Sequence, residues 1–227
     1  MLRTDSVPPR LLSVTRQLMR LESLENFRLV GGTSLALQLG HRESIDIDLF
    51  SSNDFPHEKI CNELTEKFNL HERVRARGEI MISLRIDEVK IDIINDKKKF
   101  IREVVAEDGI RMAHLEEIAA MKIKTTCDPF SGRKTQKDLA DIATLLDRYT
   151  VKQMIGFFEE KYPSMAPYSQ SVILQLTRDF DKAERNSKMP KMLNGLTWEK
   201  IKYKIENASK EYFDDIIKER EKKLKGS

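Results

Sequence analysis

The stretch LVGGTSLALQLGHRESIDIDLF, residues 29–50, decides the fold. FRLVGG reads as a short buried strand ending in two glycines, TSLALQLG as a helix, and SIDIDLFS as a strand whose apolar and polar residues alternate. That alternation sends Ile45, Ile47 and Leu49 to one face and Asp46 with Asp48 to the other, about 7 Å apart along the chain by strand rise. Two carboxylates that close repel, and they require a shared cation, protonation or generous solvent. Just before them, Gly31 and Gly32 pass into a helix at Thr33 and Ser34. The turn leaves unpaired backbone N–H groups at a positive dipole end, with nothing bulky to block an anion. Thr33 is placed to cap this helix and Ser34 to offer a hydroxyl. Taken alone, GGTS equally describes an ordinary strand-to-helix turn, and the aspartate pair an exposed strand face. Together they read as an anion cradle beside a cation site.

A third acid belongs to the same pattern. In VKIDII the alternation buries Val89, Ile91 and Ile93 and presents Asp92 opposite them, so a neighbouring strand can bring this carboxylate to Asp46 and Asp48. Three oxygen ligands beside a phosphate site suit Mg²⁺ or Mn²⁺, which bind through a few carboxylates together with substrate phosphates. Such ions can clamp the attacking and leaving oxygens of an in-line displacement at phosphorus.

Around this centre the chain changes character once. After the Asp strand come an amphipathic helix, HEKICNELTEKF, and three strand-like segments, NLHERVRARG, EIMISLRID and EVKIDIIND, with Gly78 and the Asp87-Glu88 pair at hairpin turns. From about Gly109 strand signals give way to helical periodicity in MAHLEEIAAMKIKTTC, in KTQKDLADIATLLDRY and in three further segments. Pro129, Ser131 and Gly132 mark a loop, and Pro163, Pro167 and Pro190 mark later breaks. The reading is an α/β (α+β) protein: residues 1–108 form a catalytic domain with a mixed sheet, and residues 109–227 a helical bundle domain.

Composition narrows the function classes. With 40 Lys and Arg against 37 Asp and Glu, the net charge of +3 argues against a purely electrostatic nucleic-acid binder while allowing local basic patches. Cys61 and Cys127 lie outside any CxxC pattern, which fits a reducing compartment. The opening MLRTDSVPPRLL is polar and proline-interrupted, unlike a secretory signal, and no apolar run approaches the ~18 residues of a membrane span. A cytoplasmic protein without a membrane partner is expected.

The order Val30-Gly31-Gly32, then Asp46-Ile47-Asp48, then Ile91-Asp92-Ile93 resembles the signature of the DNA polymerase β type nucleotidyltransferase superfamily. Within it, GGTSLALQLGHRESIDIDLF is especially similar to the AbiEii/AbiGii toxin family, nucleotidyltransferase-like toxins of type IV toxin–antitoxin and phage-abortive systems. The likeness continues through EEIAAMKIKT and KDLADIATLL and, more loosely, DFDKAE and LTWEKIK. The resemblance implies that Gly31, Gly32, Thr33 and Ser34 meet the triphosphate of an NTP, that Asp46 and Asp48 hold metal, and that Asp92 is the third carboxylate, as ligand or base. It implies that Lys122 is the family lysine and Asp138 the acid of the KD motif, with Asp141 close behind. One departure stands out: the family often has a Gly-Ser pair where this chain has Gly31-Gly32, so the serine role passes to Ser34 or Thr33.

The helices add to this from their own spacing. Leu115, Ile118, Ala119 and Lys122 share one inward stripe, so the lysine requires a partner or an escape at the stripe's edge. Asp138 and Asp141, three apart, are placed to pair with it, to ligate or to solubilise the helix. The reading favours Lys122 toward the triphosphate with Asp138 orienting it. Arg42 and Arg133 are guanidinium candidates for phosphate, with surface charge as the alternative. His41 is read as structural and Trp198 as packing. Lys97, Lys98 and Lys99, with Arg73, Arg75, Arg77 and Arg85, offer a basic surface for RNA, or a charge-protected edge strand. The expected activity is transfer of a nucleotidyl group from an NTP to an acceptor hydroxyl, by resemblance the 3′ end of a tRNA. A cognate antitoxin is the expected protein partner. The rivals are a nucleotide-binding regulatory module without transfer, an enzyme that adds AMP to protein, and a purely structural protein with neither metal nor NTP affinity.

Overall fold

A computed structural model describes residues 1–53, 55–70, 74, 76–77 (backbone only), 80–127 and 134–225. Arg73, Arg75, Gly78, Pro129, Ser131, Gly132 and Arg133 lie outside the described residues. The chain divides into two compact units, Met1–Ile118 and Ala119–Ser227.

The first unit is built on a mixed sheet of seven strands: β1 (Arg28–Leu29), β2 (Asp46–Ser51), β3 (Ala76–Arg77), β4 (Met81–Ile86), β5 (Val89–Asn95), β6 (Val105–Glu107) and β7 (Ile110–Met112). Their order is β3-β4-β5-β2-β1-β7-β6. β2 runs parallel to β5 and antiparallel to β1, and β1 runs parallel to β7. The β4–β5 hairpin turns on Asp87 and Glu88, both at positive φ (44° and 70°), as its two-residue loop requires. β7 lies beyond the Asp108-Gly109 turn, where the sequence reading placed the end of strand structure. Three residues are too few to show a period, and β7 is held by its pairing to β1 and β6.

Alternation then sorts the sheet. Ile47, Leu49, Ile82, Ile91 and Ile93 are wholly buried on one face. Their core is completed by Leu11, Val14 and Leu18 of α1 (Pro9–Leu18) and by Ile60 and Leu64 of the helix His57–Lys67. The helix at the glycines, α2, spans Gly31–Leu39, and the helix His57–Lys67 is α3. α2 ends on Gly40 in the left-handed region, φ 65°.

The second unit is helical among its described residues. α4 (Leu115–Cys127) crosses the division, followed by α5 (Gln136–Leu145), α6 (Val151–Lys161), α7 (Ser169–Leu176), α8 (Phe180–Asn186) and α9 (Trp198–Lys225). Four helices follow α5 where three segments were expected, because Asp179 at φ 57° separates α7 from α8. Pro163 and Pro167 sit in a 3₁₀ stretch before α7, while Pro190 falls in the connection to α9. α6 opens with a capping box, in which the Gln153 N–H donates to Thr150 Oγ1 at 3.2 Å and the Thr150 N–H to Gln153 Oε1 at 2.9 Å. α9 packs on α5, α6 and α7, with Ile201 and Ile205 buried in its first half. No helix among the described residues is long and apolar enough to cross a membrane.

Candidate active site

The polar face of the sheet gathers the acids. Register pairs Asp48 of β2 with Asp92 of β5, and Asp92 with Ser83 of β4. Paired residues share a face, so Ser83, Asp92 and Asp48 form one row across three strands, each about 4.8 Å from the next. Asp46, Lys90 and Arg85 form the row beside it. On the far side of β2, the Val30 N–H donates to the Asp48 carbonyl at 2.9 Å, which brings the glycine elbow to the end of the Asp48 row.

Side chains crowd the elbow at both glycines. Gly31 has φ +67°, and a Cβ there would lie 2.7 Å from Asp48 Oδ2. A Cβ on Gly32 would lie 2.1 Å from the Arg42 guanidinium. Arg42 is buried and donates to the Glu43 carbonyl at 2.9 Å, so it is a fixed cation against the elbow rather than a surface charge.

Thr33 is not the cap. α2 begins at Gly31 with Val30 as its N-cap, which puts Thr33 inside the first turn. Its buried hydroxyl shares a 2.8 Å hydrogen bond with Ser44 and donates to the Asp46 carbonyl, tying α2 to the start of the Asp strand. Ser34 is also buried, and its hydroxyl accepts from Gln38 Nε2 at 3.1 Å. The half-exposed groups of the turn are Gly31 and Gly32 themselves.

Asp92 is the most buried of the three acids. It accepts from Ser83 Oγ at 2.6 Å and from the Lys90 ammonium. Sequence reasoning passed over both partners, although the signal was present. A two-residue turn at Asp87-Glu88 fixes the hairpin register and sets Ser83 opposite Asp92, and Lys90 lies two residues from Asp92 on the same face.

Among the described residues no three His, Cys, Asp or Glu side chains stand together as a ready-made metal cluster. The donors nonetheless fit Mg²⁺ or Mn²⁺: all are hard carboxylate oxygens, Asp48 and Asp92 are register partners, and Gly31 leaves open the space a Cβ would fill. The Lys90 ammonium already supplies Asp92 with the positive charge such a face demands.

In the second unit Lys122 is buried and does not escape to solvent. Its ammonium lies 2.7 Å from Asp138 Oδ1 and 2.7 Å from Asp141 Oδ2. Thr135, the N-cap of α5, accepts from the Asp138 N–H at 3.2 Å and donates its hydroxyl to the Asp138 carboxylate. Burial pushes the Asp138 carboxyl up, but the Lys122 ammonium and the Thr135 hydroxyl outweigh it and hold the group below the usual carboxylate range. The α5 acids therefore grip Lys122 instead of solubilising the helix.

Lys97, Lys98 and Lys99 are exposed in the connection after β5, not on an edge strand, and Arg85 is exposed on β4. Trp198 opens α9 with its ring edge-on to Phe180, centroids 6.0 Å apart.

The fold and the acid-lined elbow define a nucleotidyltransferase-type protein. The chain matches the family described as "Nucleotidyl transferase AbiEii toxin, Type IV TA system" over residues 14–219, and it belongs to that family. Two solved structures from Helicobacter pylori share its fold. JHP933 has 15% identity and a TM-score of 0.59, with 96% of this chain and 97% of that one covered. A protein described as a candidate nucleotidyltransferase has 16% identity and a TM-score of 0.53, with 92% and 93% covered. No curated protein sequence matches the chain.

Proposed function

We propose that this protein transfers a nucleotidyl group from an NTP to a hydroxyl of an RNA acceptor, the 3′ end of a tRNA, with release of pyrophosphate. Growth arrest would follow from the blocked tRNA, and a cognate antitoxin would relieve it. The observation that carries the reading is the Asp48–Asp92 register pair set against the Gly31 elbow, where an added Cβ would fall 2.7 Å from Asp48 Oδ2.

Each residue has a part. The half-exposed Gly31 and Gly32 backbone receives the triphosphate, with the Arg42 guanidinium behind it. Thr33 and Ser34 shape the turn through their buried hydroxyls. Asp46, Asp48 and Asp92 would hold Mg²⁺ or Mn²⁺, which when bound would supply positive charge against the negative charge on the phosphate. Asp92 orients the acceptor hydroxyl and takes its proton as the new O–P bond forms and the bond to the leaving pyrophosphate breaks. Lys122, the family lysine by resemblance, is held within its own unit by Asp138 and Asp141.

The test is incubation with α-labelled NTPs, Mg²⁺ and bulk tRNA, comparing the wild type with Asp48→Ala. Label on RNA in the wild type alone supports the proposal. NTP binding without transfer identifies a regulatory module, and label in a protein band identifies an AMP-adding enzyme.

A further inference from the structure

Lys90 is a cation placed among acids. Its Nζ contacts Asp92 Oδ2, and register sets it beside Asp46 on the neighbouring strand. The two partners are unequal: the Asp92 side chain is 11% exposed and anchored by Ser83 Oγ at 2.6 Å, whereas the Lys90 side chain is 41% exposed. A long, half-exposed ammonium on a fixed carboxylate can leave without disturbing the carboxylate. Three carboxylates on one face also repel, and a resident cation lowers that cost whenever no other is bound.

We propose that Lys90 is a positioning residue, a built-in counter-cation that neutralises Asp92 and is displaced when divalent metal binds. The inference rests on the metal reading above and adds a competitor to it. Ser83 keeps Asp92 aimed during the exchange. Lys90 then swings clear on its flexible stem, so metal affinity is set partly by how readily this ion pair opens. The contact is made within the chain, which keeps the acids ordered before any nucleotide arrives.

The experiment measures Mn²⁺ binding to the full chain by electron paramagnetic resonance, with Mn²⁺ as the sole ligand. Lys90→Gln is expected to bind about fivefold more tightly than the wild type, the scale of a half-exposed ion pair. Lys90→Arg keeps the charge and should stay near the wild type. Arg85→Gln, which removes a charge one strand further out, should change affinity by less than about twofold through screened attraction. Circular dichroism confirms that each variant is folded, and Lys90→Met, expected to show the same gain, replaces Lys90→Gln if that variant is not. Equal affinities for Lys90→Gln and wild type, or equal gains from Lys90→Gln and Arg85→Gln, overturn the proposal. Mn²⁺ binding in the wild type that is lost in Asp48→Asn, with no gain in Lys90→Gln, overturns the role of Lys90 and leaves the metal reading standing. No binding by the wild type or Lys90→Gln overturns both, while binding acquired only in Lys90→Gln supports the displacement.

Discussion

At Gly31, backbone conformation and side-chain crowding act together. The residue holds φ +67° and leaves room for the Asp48 carboxylate. Gly31→Ala should destabilise the protein by about 1–3 kcal/mol in urea unfolding, because an L side chain is strained there and displaces Asp48. Nucleotidyl transfer should fall more steeply than stability does. Lys122 presents a different kind of dependence. Lys122→Met leaves Asp138 and Asp141 buried without their cation and should cost about 3–5 kcal/mol. Combining it with Asp138→Asn should restore part of that loss. The sequence carried both centres, since period-two alternation placed Asp46 and Asp48 together and the helical stripe turned Lys122 inward. It did not reveal that Thr33 spends its hydroxyl on Ser44 and the Asp46 carbonyl, because that bond depends on how α2 lies against β2.

Among the elements, local registers were legible and distant ones were not. The Asp87-Glu88 turn fixes which residues of β4 and β5 face each other, and a reader with the turn type has the pairing. The parallel pairing of β2 with β5 joins segments separated by α3 and a hairpin, and no local signal encodes it. A similar non-local device holds the end of α7. The buried Lys134 ammonium donates to the carbonyls of Gln175 at 2.8 Å and Leu176 at 3.0 Å, and to that of Arg178. Burial pushes its pKa down, while the negative end of the helix favours the cation. Lys134→Met should leave those carbonyls unsatisfied and cost about 1–3 kcal/mol. Amide hydrogen exchange should then accelerate in residues 169–178 more than in β2 or β5.

For the whole molecule, ionisation links the folded state to pH and to reagents. Asp138 is held below its unfolded value of about 3.9, so its contribution is complete above that pH and is lost as pH falls through the depressed value. Lys122→Met leaves burial to raise the Asp138 pKa, so its cost should be largest at neutral pH and shrink as Asp138 protonates, which urea unfolding at pH 7 and pH 3 would show. Burial raises the Cys127 thiol to about 12, and Cys61 is buried too, so a disulfide thiol probe at pH 8 should label neither until denaturant opens the chain. The change of periodicity near Asp108 precedes the division of the two units at Ile118 and Ala119, and β7, between them, was too short to announce itself.

The central claim is that Asp48 and Asp92, side by side against the glycine elbow, bind the metal that accompanies the nucleotide. The most direct measurement is an anomalous difference map from crystals grown with Mn²⁺ and a non-hydrolysable NTP. A peak bridging the Asp48 and Asp92 carboxylates, with phosphate density at Gly31 and Gly32, is the predicted result. Manganese and phosphate density lying elsewhere, with Lys90 still seated on Asp92, would contradict it.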